Sequence, residues 1–365
     1  MADATKLAEL SCPTPLTTRD RVLLGHGSGG KLSAELVHDI FLPAFSNPAL
    51  AQLNDQAVVN INGSRIAITT DSFVVKPLFF PGGDIGSLAV HGTVNDLAMG
   101  GAKPLFLSAA FILEEGLSLE ILQRVVDSLK RAANEAGVQV VTGDTKVVEK
   151  GKGDGLFINT TGIGLVPEGL ELSANRARPG DKIILSGPIG DHGIAILAQR
   201  EGLEFESTIE SDSAALHTLV AEMLNIQSHF SQNNGEVGHP GVIRCMRDPT
   251  RGGLSSALNE IAEQSQVGIE LDETTIPVRD EVKGACEMLG LDPLYVANEG
   301  KLVAIVEPSV ADELVDAMRK HPLGKDARVI GTVGDSNAGM VTMRTALGTT
   351  RIVDMLTGDQ LPRIC

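Results

Sequence analysis

Apolar positions in this chain follow two periods, and the switches between them outline the elements. Leu32, Leu36, Val37, Ile40 and Phe41 recur at three- and four-residue spacing, which predicts a helix over residues 31–41. Leu119, Leu122, Val125, Val126 and Leu129 do the same within 118–136, where Gly137 marks the stop. A further helix is predicted from Asp84, a suitable N-cap, to Gly100, and an amphipathic one over 312–320. Short apolar runs predict strands at 21–24, 57–59, 66–70, 138–141, 156–165, 182–186, 302–306 and 351–355. Helices and strands are interleaved in both halves. The expected class is α+β: two mixed α/β domains with a flexible C-terminal tail. The turn Arg178-Pro179-Gly180-Asp181 opens the second half. The expected units are a leader at 1–18 broken by Pro13 and Pro15, domains at 19–175 and 176–350, and a tail at 351–365. The polar stretch 227–239 reads as a mobile connection.

Composition narrows the classes of function. The 365 residues fit two domains, and 42% hydrophobic content supplies ordinary cores. Aromatics make up 3%, with no Trp and one Tyr, so stacking platforms for single-stranded nucleic acid are not expected. A formal charge of −17 also works against phosphate backbones, and an acidic chain that binds a nucleotide needs cations to bridge carboxylates and phosphates. Cys12, Cys245, Cys286 and Cys365 are too scattered for a zinc site or a disulfide scaffold. The N-terminal residues lack the apolar run of a signal peptide, and no run reaches the ~18 apolar residues of a membrane span. The expected location is cytoplasmic. Pro362 stands where a prenylation box would place its cysteine.

The candidate chemistry collects at strand ends and glycine turns. Gly25-His26-Gly27-Ser28-Gly29-Gly30-Lys31 opens the first helix and suits an anion, with Gly27, Gly29, Gly30 and Lys31 as its donors. A flexible surface loop is the alternative. Leu32 sits where a P-loop needs Ser or Thr to hold magnesium, so metal ligands must come from elsewhere. Asp55, Asp71, Asp96 and Asp144 lie at or near the ends of predicted strands and helices. Carboxylates gathered there are the hard oxygen ligands Mg2+ prefers, although any one of them could be a turn or cap. His91 and Asn95 are one helical turn apart and could face the same crevice, or His91 could be a satisfied core histidine. Asp248, before the helix at 254–263, suits phosphate, metal or simple capping. Residues 357–365 form a tail that could reach ~30 Å when extended, ending on Cys365.

Several segments carry a family resemblance. They are His91-Gly92-Thr93-Val94-Asn95-Asp96-Leu97-Ala98-Met99, Gly143-Asp144-Thr145-Lys146, Gly190-Asp191-His192-Gly193, Met246-Arg247-Asp248-Pro249-Thr250-Arg251-Gly252-Gly253, Asn298-Glu299-Gly300-Lys301 and Pro362-Arg363-Ile364-Cys365. Together they resemble the HypE family of hydrogenase maturation proteins. Its superfamily includes aminoimidazole ribonucleotide synthase, selenophosphate synthetase and thiamine-monophosphate kinase. The resemblance implies the two-domain synthase fold, a homodimer, and an Asp-rich ATP site. It implies that the carbamoyltransferase HypF loads Cys365, that ATP-dependent dehydration makes a thiocyanate, and that the HypC–HypD complex receives the cyanide.

On that basis Asp55, Asp71, Asp96 and Asp144 are expected to hold metal and phosphates. Lys146 is expected to stabilise the carbonyl oxygen or transferred phosphate, Glu299 to accept a proton, and His91 and Asn95 to position the carboxamide. An ion pair between strands is the alternative for Lys146 and Glu299. Two other functions stay open: a small-molecule kinase or synthetase of the superfamily, and a non-catalytic thiol carrier.

Overall fold

A computed structural model of the chain describes residues 21–203, 208–233, 241–358, 361 and 363–365. The leader with Cys12, residues 234–239 of the polar connection, and Asp359, Gln360 and Pro362 of the tail lie outside them.

The first half opens with short helices, α1 (Lys31–Leu36) and α2 (Leu42–Phe45), joined by a π-turn at Val37–Phe41. Strands β1 (Ala57–Ile61) and β2 (Ser64–Phe73) follow, then a minimal hairpin, β3 (Phe79–Phe80) and β4 (Gly83–Asp84). Next come α3 (Ile85–Met99), β5 (Lys103–Glu114), α4 (Leu119–Glu135), β6 (Gln139–Val148) and β7 (Leu156–Leu165). The strands form a sheet in the order β1-β2-β7-β5-β6, antiparallel except for β5 and β6.

The second half holds β8 (Lys182–Leu185), α5 (Asp191–Glu201), α6 (His217–Asn233), β9 (Ile243–Arg247), α7 (Gly253–Ser265) and β10 (Gly268–Asp272). It continues with α8 (Asp280–Leu289), β11 (Val303–Val306), α9 (Ala311–Lys320), β12 (Arg328–Gly334), β13 (Val341–Arg344) and β14 (Thr350–Ile352). Its sheet runs β14-β13-β10-β12-β8-β11-β9.

α3 is the element that joins the halves. The Asp84 carboxylate caps it by accepting from Gly86 N and Ser87 N, at 2.8 and 3.1 Å. It is apolar on nearly every side because it is covered on nearly every side. Leu88, Val90 and Val94 pack with Val125 and Leu129 of α4, whereas Ala98 and Met99 join Leu219, Met223 and Met246 of the second half. Full burial of Leu88 and Leu97 stabilises this arrangement by roughly 1.5–3 kcal/mol per side chain. In α4, Val125 and Leu129 are buried as the periodicity requires, but Leu119 and Val126 are exposed.

The other face of the first sheet carries partly exposed apolar side chains. Ile68, Phe106, Ile112, Ile163 and Leu165 remain 37–43% exposed there. Among the described residues, no helix is long and apolar enough to cross a membrane.

Three local expectations change. Residues 21–24 are not a strand, and a 3-10 turn occupies Leu24–Gly27. The polar stretch beginning at 227 continues α6 through Asn233, because one helix face can be polar throughout without breaking the helix. Asp71 and Asp144 sit inside β2 and β6 rather than ending them.

Candidate active site

The two halves meet over a crevice whose acidic groups come from five segments. Asp55 precedes β1, Asp71 lies on β2, Asp96 on α3, Asp248 follows β9, and Glu299 lies in the loop before β11. On β2, Thr69 and Asp71 alternate onto the α3 side of the sheet. Thr69 Oγ1 donates to Asp96 Oδ2 at 2.6 Å and lies 3.0 Å from Asp55 O.

Burial pushes all five carboxyls above their ordinary range. Asp248, Asp71 and Asp55 add to the effect on Asp96, while Asp71 and Asp248 add to that on Glu299. Asp248 Oδ2 and Glu299 Oε1 are buried without a hydrogen-bond partner. Crowded, dehydrated carboxylates of this kind call for a cation. Among the described residues no three potential ligands converge into a finished metal cage. Magnesium would therefore need phosphate oxygens to complete its shell here.

Two arginines enter the cluster. Arg247 pairs with Asp55, donates to Leu53 O at 2.5 Å, and reaches Glu260 at 3.5 Å. Arg251 Nη2 lies 3.8 Å from Asp71. Its guanidinium is held further above its ordinary range by Cys365 first, then Asp71 and Glu299, against its own burial.

Two adjoining cavities fill the crevice. One of about 500 Å³ is mainly apolar and reaches Leu50, Ile68 and Met355. The other, about 330 Å³, is lined by Gly27, Gly29, Asp248 and Arg251. Gly29, Asp55, Arg247 and Glu260 belong to both.

The described part of the tail is docked, not free. Val74 N donates to Cys365 O at 3.0 Å and Lys76 N to Arg363 O at 3.1 Å, so the tail adds antiparallel to the segment after β2. Arg363 pairs with Asp154, which also holds Lys76 at 3.0 Å. Cys365 is 8% exposed. Burial pushes its thiol up to about 12; Glu299 and Asp71 act in the same direction and Arg251 in the other. Those three side chains are the thiol's electrostatic surroundings. A cavity of about 160 Å³ lies beside it, lined by Arg251, Tyr295, Leu356 and Ile364.

The structure brings Asp55, Asp71, Asp96, Asp248, Glu299 and Cys365 together. It places other predicted residues differently. Asp144 and Lys146 lie on the exposed edge strand β6, paired to each other at 2.5 Å. Three strand spacings, about 14 Å, separate β6 from β2, so they do not reach the cluster within one chain. Asn95 does not face the crevice. Its Nδ2 donates to Ala214 O and Glu299 O, and its Oδ1 accepts from Leu216 N, so its polar atoms brace backbone. His91 Nδ1 lies 2.9 Å from Ser213 Oγ, away from the acids.

Gly29 and Gly30 are small for packing reasons. A Cβ on Gly29, at φ +73°, would sit 2.5 Å from Arg251 O, and one on Gly30 2.2 Å from Leu356 O. Lys31 is exposed and lines neither crevice cavity. Sequence reasoning missed Arg247, Arg251 and Glu260. The dense run Arg247-Asp248-Pro249-Thr250-Arg251-Gly252-Gly253 held the signal for the arginines, but Glu260 sits in an ordinary helical pattern.

Residues 53–166 match the N-terminal domain of AIR synthase related proteins, and residues 178–344 match their C-terminal domain. That defines the class: a two-domain AIR synthase related protein. Carbamoyl dehydratase HypE of Cupriavidus necator is 57% identical over 359 residues, covering 98% of this chain and 99% of that protein. A crystal structure of a HypE–HypF complex matches with TM-score 0.80 and 49% identity, over 88% of this chain and 99% of that one. A structure of the hydrogenase maturation protein HypE in complex with ATP matches with TM-score 0.76 and 51% identity, over 94% and 100%. This chain belongs to the carbamoyl dehydratase HypE family, enzymes of hydrogenase maturation.

Proposed function

We propose that this protein dehydrates an S-carbamoyl group on its own Cys365 to a thiocyanate, using ATP, and so supplies cyanide for the nickel–iron hydrogenase centre. The observation that carries this reading is the buried Cys365 thiol, set among Arg251, Glu299 and Asp71 beside a glycine- and acid-lined crevice.

The chemistry follows from the leaving group. Oxide leaves a thiocarbamate poorly, whereas phosphate leaves well. The carbonyl oxygen attacks the γ-phosphorus of ATP, and ADP departs. Loss of one N–H proton gives an S-bound imidate carrying phosphate. Loss of the second N–H proton, with C–O cleavage, forms the C≡N bond and releases phosphate. Glu299, buried with one oxygen unpartnered, is the proton acceptor. Arg251 stabilises charge building on the transferred phosphoryl group. The apolar cavity suits a nucleobase, and Gly27, Gly29 and Asp248 line the phosphate end. Asp55, Asp71, Asp96 and Asp248 would hold magnesium through carboxylate oxygens. The ion would neutralise phosphate charge and orient it for in-line transfer.

Asp144 and Lys146 enter through a second copy of the chain. The partly exposed apolar side chains of the first sheet and the exposed β6 edge fit a homodimer, in which the partner's β6 would approach this chain's crevice. Domains at 19–175 and 176–350, with the tail at 351–365, are the working units. The tail leaves the crevice to be loaded by the carbamoyltransferase HypF and again to deliver cyanide to HypC–HypD. A homologue's complex with HypF supports the first encounter. Dependence on ATP fits a cytoplasmic enzyme.

The test is the mass of the C-terminal peptide after incubation with carbamoyltransferase and then ATP. Conversion of carbamate to thiocyanate on Cys365, lost in Cys365→Ala, supports the reading. Thiocyanate on Cys245 or Cys286 overturns it.

A further inference from the structure

His192 has no part in the chemistry above, yet it is fully buried and touches the tail. It stands in the first turn of α5, in the second half of the chain. Its Nε2 lies 2.6 Å from the carbonyl oxygen of Ile364, the residue before Cys365. A carbonyl only accepts, so Nε2 carries the proton. Nδ1 must then accept, and Ser211 Oγ lies 2.8 Å from it. Ser211 Oγ in turn accepts from Ser213 N at 3.1 Å. Every hydrogen-bonding position on this path is filled in one sense only, which fixes both tautomer and ring plane. Ser213 Oγ meets His91 Nδ1 at 2.9 Å, so the support extends back to α3. The Phe80 ring, from the small hairpin of the first half, packs edge-on against His192 with centroids 5.6 Å apart. Burial lowers the pKa of both histidines, which keeps the imidazoles neutral as this pattern requires.

We propose that His192 is a positioning residue for the reaction: by holding the Ile364 carbonyl it sets the loaded Cys365 sulfur at a fixed place beside Glu299 and Arg251. The edge pairing with Val74 and Lys76 fixes the tail along its length. His192 fixes it from the side, across the boundary between the halves. Tethering alone supplies local concentration, whereas the reaction also needs the carbamoyl group aligned with phosphate and base. The inference rests on the Cys365 reading.

The experiment uses full-length protein, carbamoylated on Cys365 by carbamoyltransferase, and follows the C-terminal peptide mass through one turnover with ATP. His192→Leu removes the donor, and His192→Gln restores an N–H. The expected result is unchanged loading, within twofold, because loading uses the undocked tail. Dehydration falls about tenfold or more in His192→Leu and recovers in part in His192→Gln. Cys365 in unloaded His192→Leu is alkylated faster by iodoacetamide.

Ser211→Ala, which keeps the ring and removes the hydroxyl that meets its Nδ1 and accepts from Ser213 N, should slow dehydration in the same direction and serves if His192→Leu does not fold. Dehydration within twofold of wild type in either folded variant overturns the proposal, as does a parallel fall in loading and dehydration. Wild-type protein that makes no thiocyanate on Cys365 overturns the Cys365 reading instead. The alkylation rates then still decide whether His192 holds the tail, and equal rates refute it.

Discussion

β2 and β6 both carry an aspartate inside an apolar strand of the same sheet, and in the sequence Asp71 and Asp144 look alike. In the fold they are opposites. Asp71 sits under α3 beside the other buried acids, and burial pushes its carboxyl up against the pull of Arg251. Asp144 is exposed on the edge strand, where its bond from Lys146 holds the carboxyl down. Strand order causes the difference: β2 lies inside the sheet, and β6 is its last strand among the described residues. A carboxylate's chemistry here depends on which strand covers it more than on the motif around it.

The strongest way to break this contrast is to neutralise one acid of the buried kind. Asp71→Asn or Asp248→Asn should lower single-turnover ATP consumption by 10²-fold or more while leaving the protein folded. Removing one charge from a repelling buried cluster should also raise Tm of the nucleotide-free protein, by about 2–4 °C for each 1 kcal/mol relieved. Calorimetry that finds Tm falling would show that the acids are not in conflict.

Lys146→Ala should leave Tm unchanged, as expected for an exposed pair, yet slow dehydration about 10²-fold. Mixing it with Cys365→Ala should restore thiocyanate formation, because each copy then supplies what the other lacks. No complementation in verified mixed dimers would confine Lys146 to its own chain.

A smaller effect separates His91 from both acids. Burial first lowers its pKa from 6.5 to about 4, with Asp84 opposing and His217 assisting. A base whose pKa is depressed by folding contributes stability that is present above pH 6.5 and is lost as pH falls toward 4. Urea titrations across that window should show wild type losing stability more steeply than His91→Gln.

The smallest effect concerns the docked thiol. Its pKa is raised from 9.0 to about 12, so docking is favoured below pH 9 and weakens between 9 and 12 as the undocked thiol ionises. Proteolysis of the tail should quicken over that range in wild type and less so in Cys365→Ser.

Much of this architecture was legible from periodicity and capping. Asp84, the apolar faces of α3 and α4, and the turn before β8 say where elements begin and end, because those signals are local. The acids at 55, 71, 96 and 248 were legible as candidates, since hard oxygen ligands cluster near strand ends. Residue type alone could not reveal that Asn95 braces backbone, because an amide serves a loop as readily as a substrate. Nor could it separate Asp144 from Asp71, a distinction set by a strand order made of long-range pairings. The edge pairing of the tail with Val74 and Lys76 runs through main-chain groups, which leave no trace in side-chain identity.

That docking turns the tail into a ruler. Its root is pinned where Lys31 N meets Leu356 O and Ser28 Oγ meets Gly358 O, and its end where Val74 N meets Cys365 O. Adding or deleting one residue between the two pins would keep every reactive group and shift the sulfur from its place beside Glu299 and Arg251. The span between the pins is thus as much a part of the catalyst as the acids it feeds.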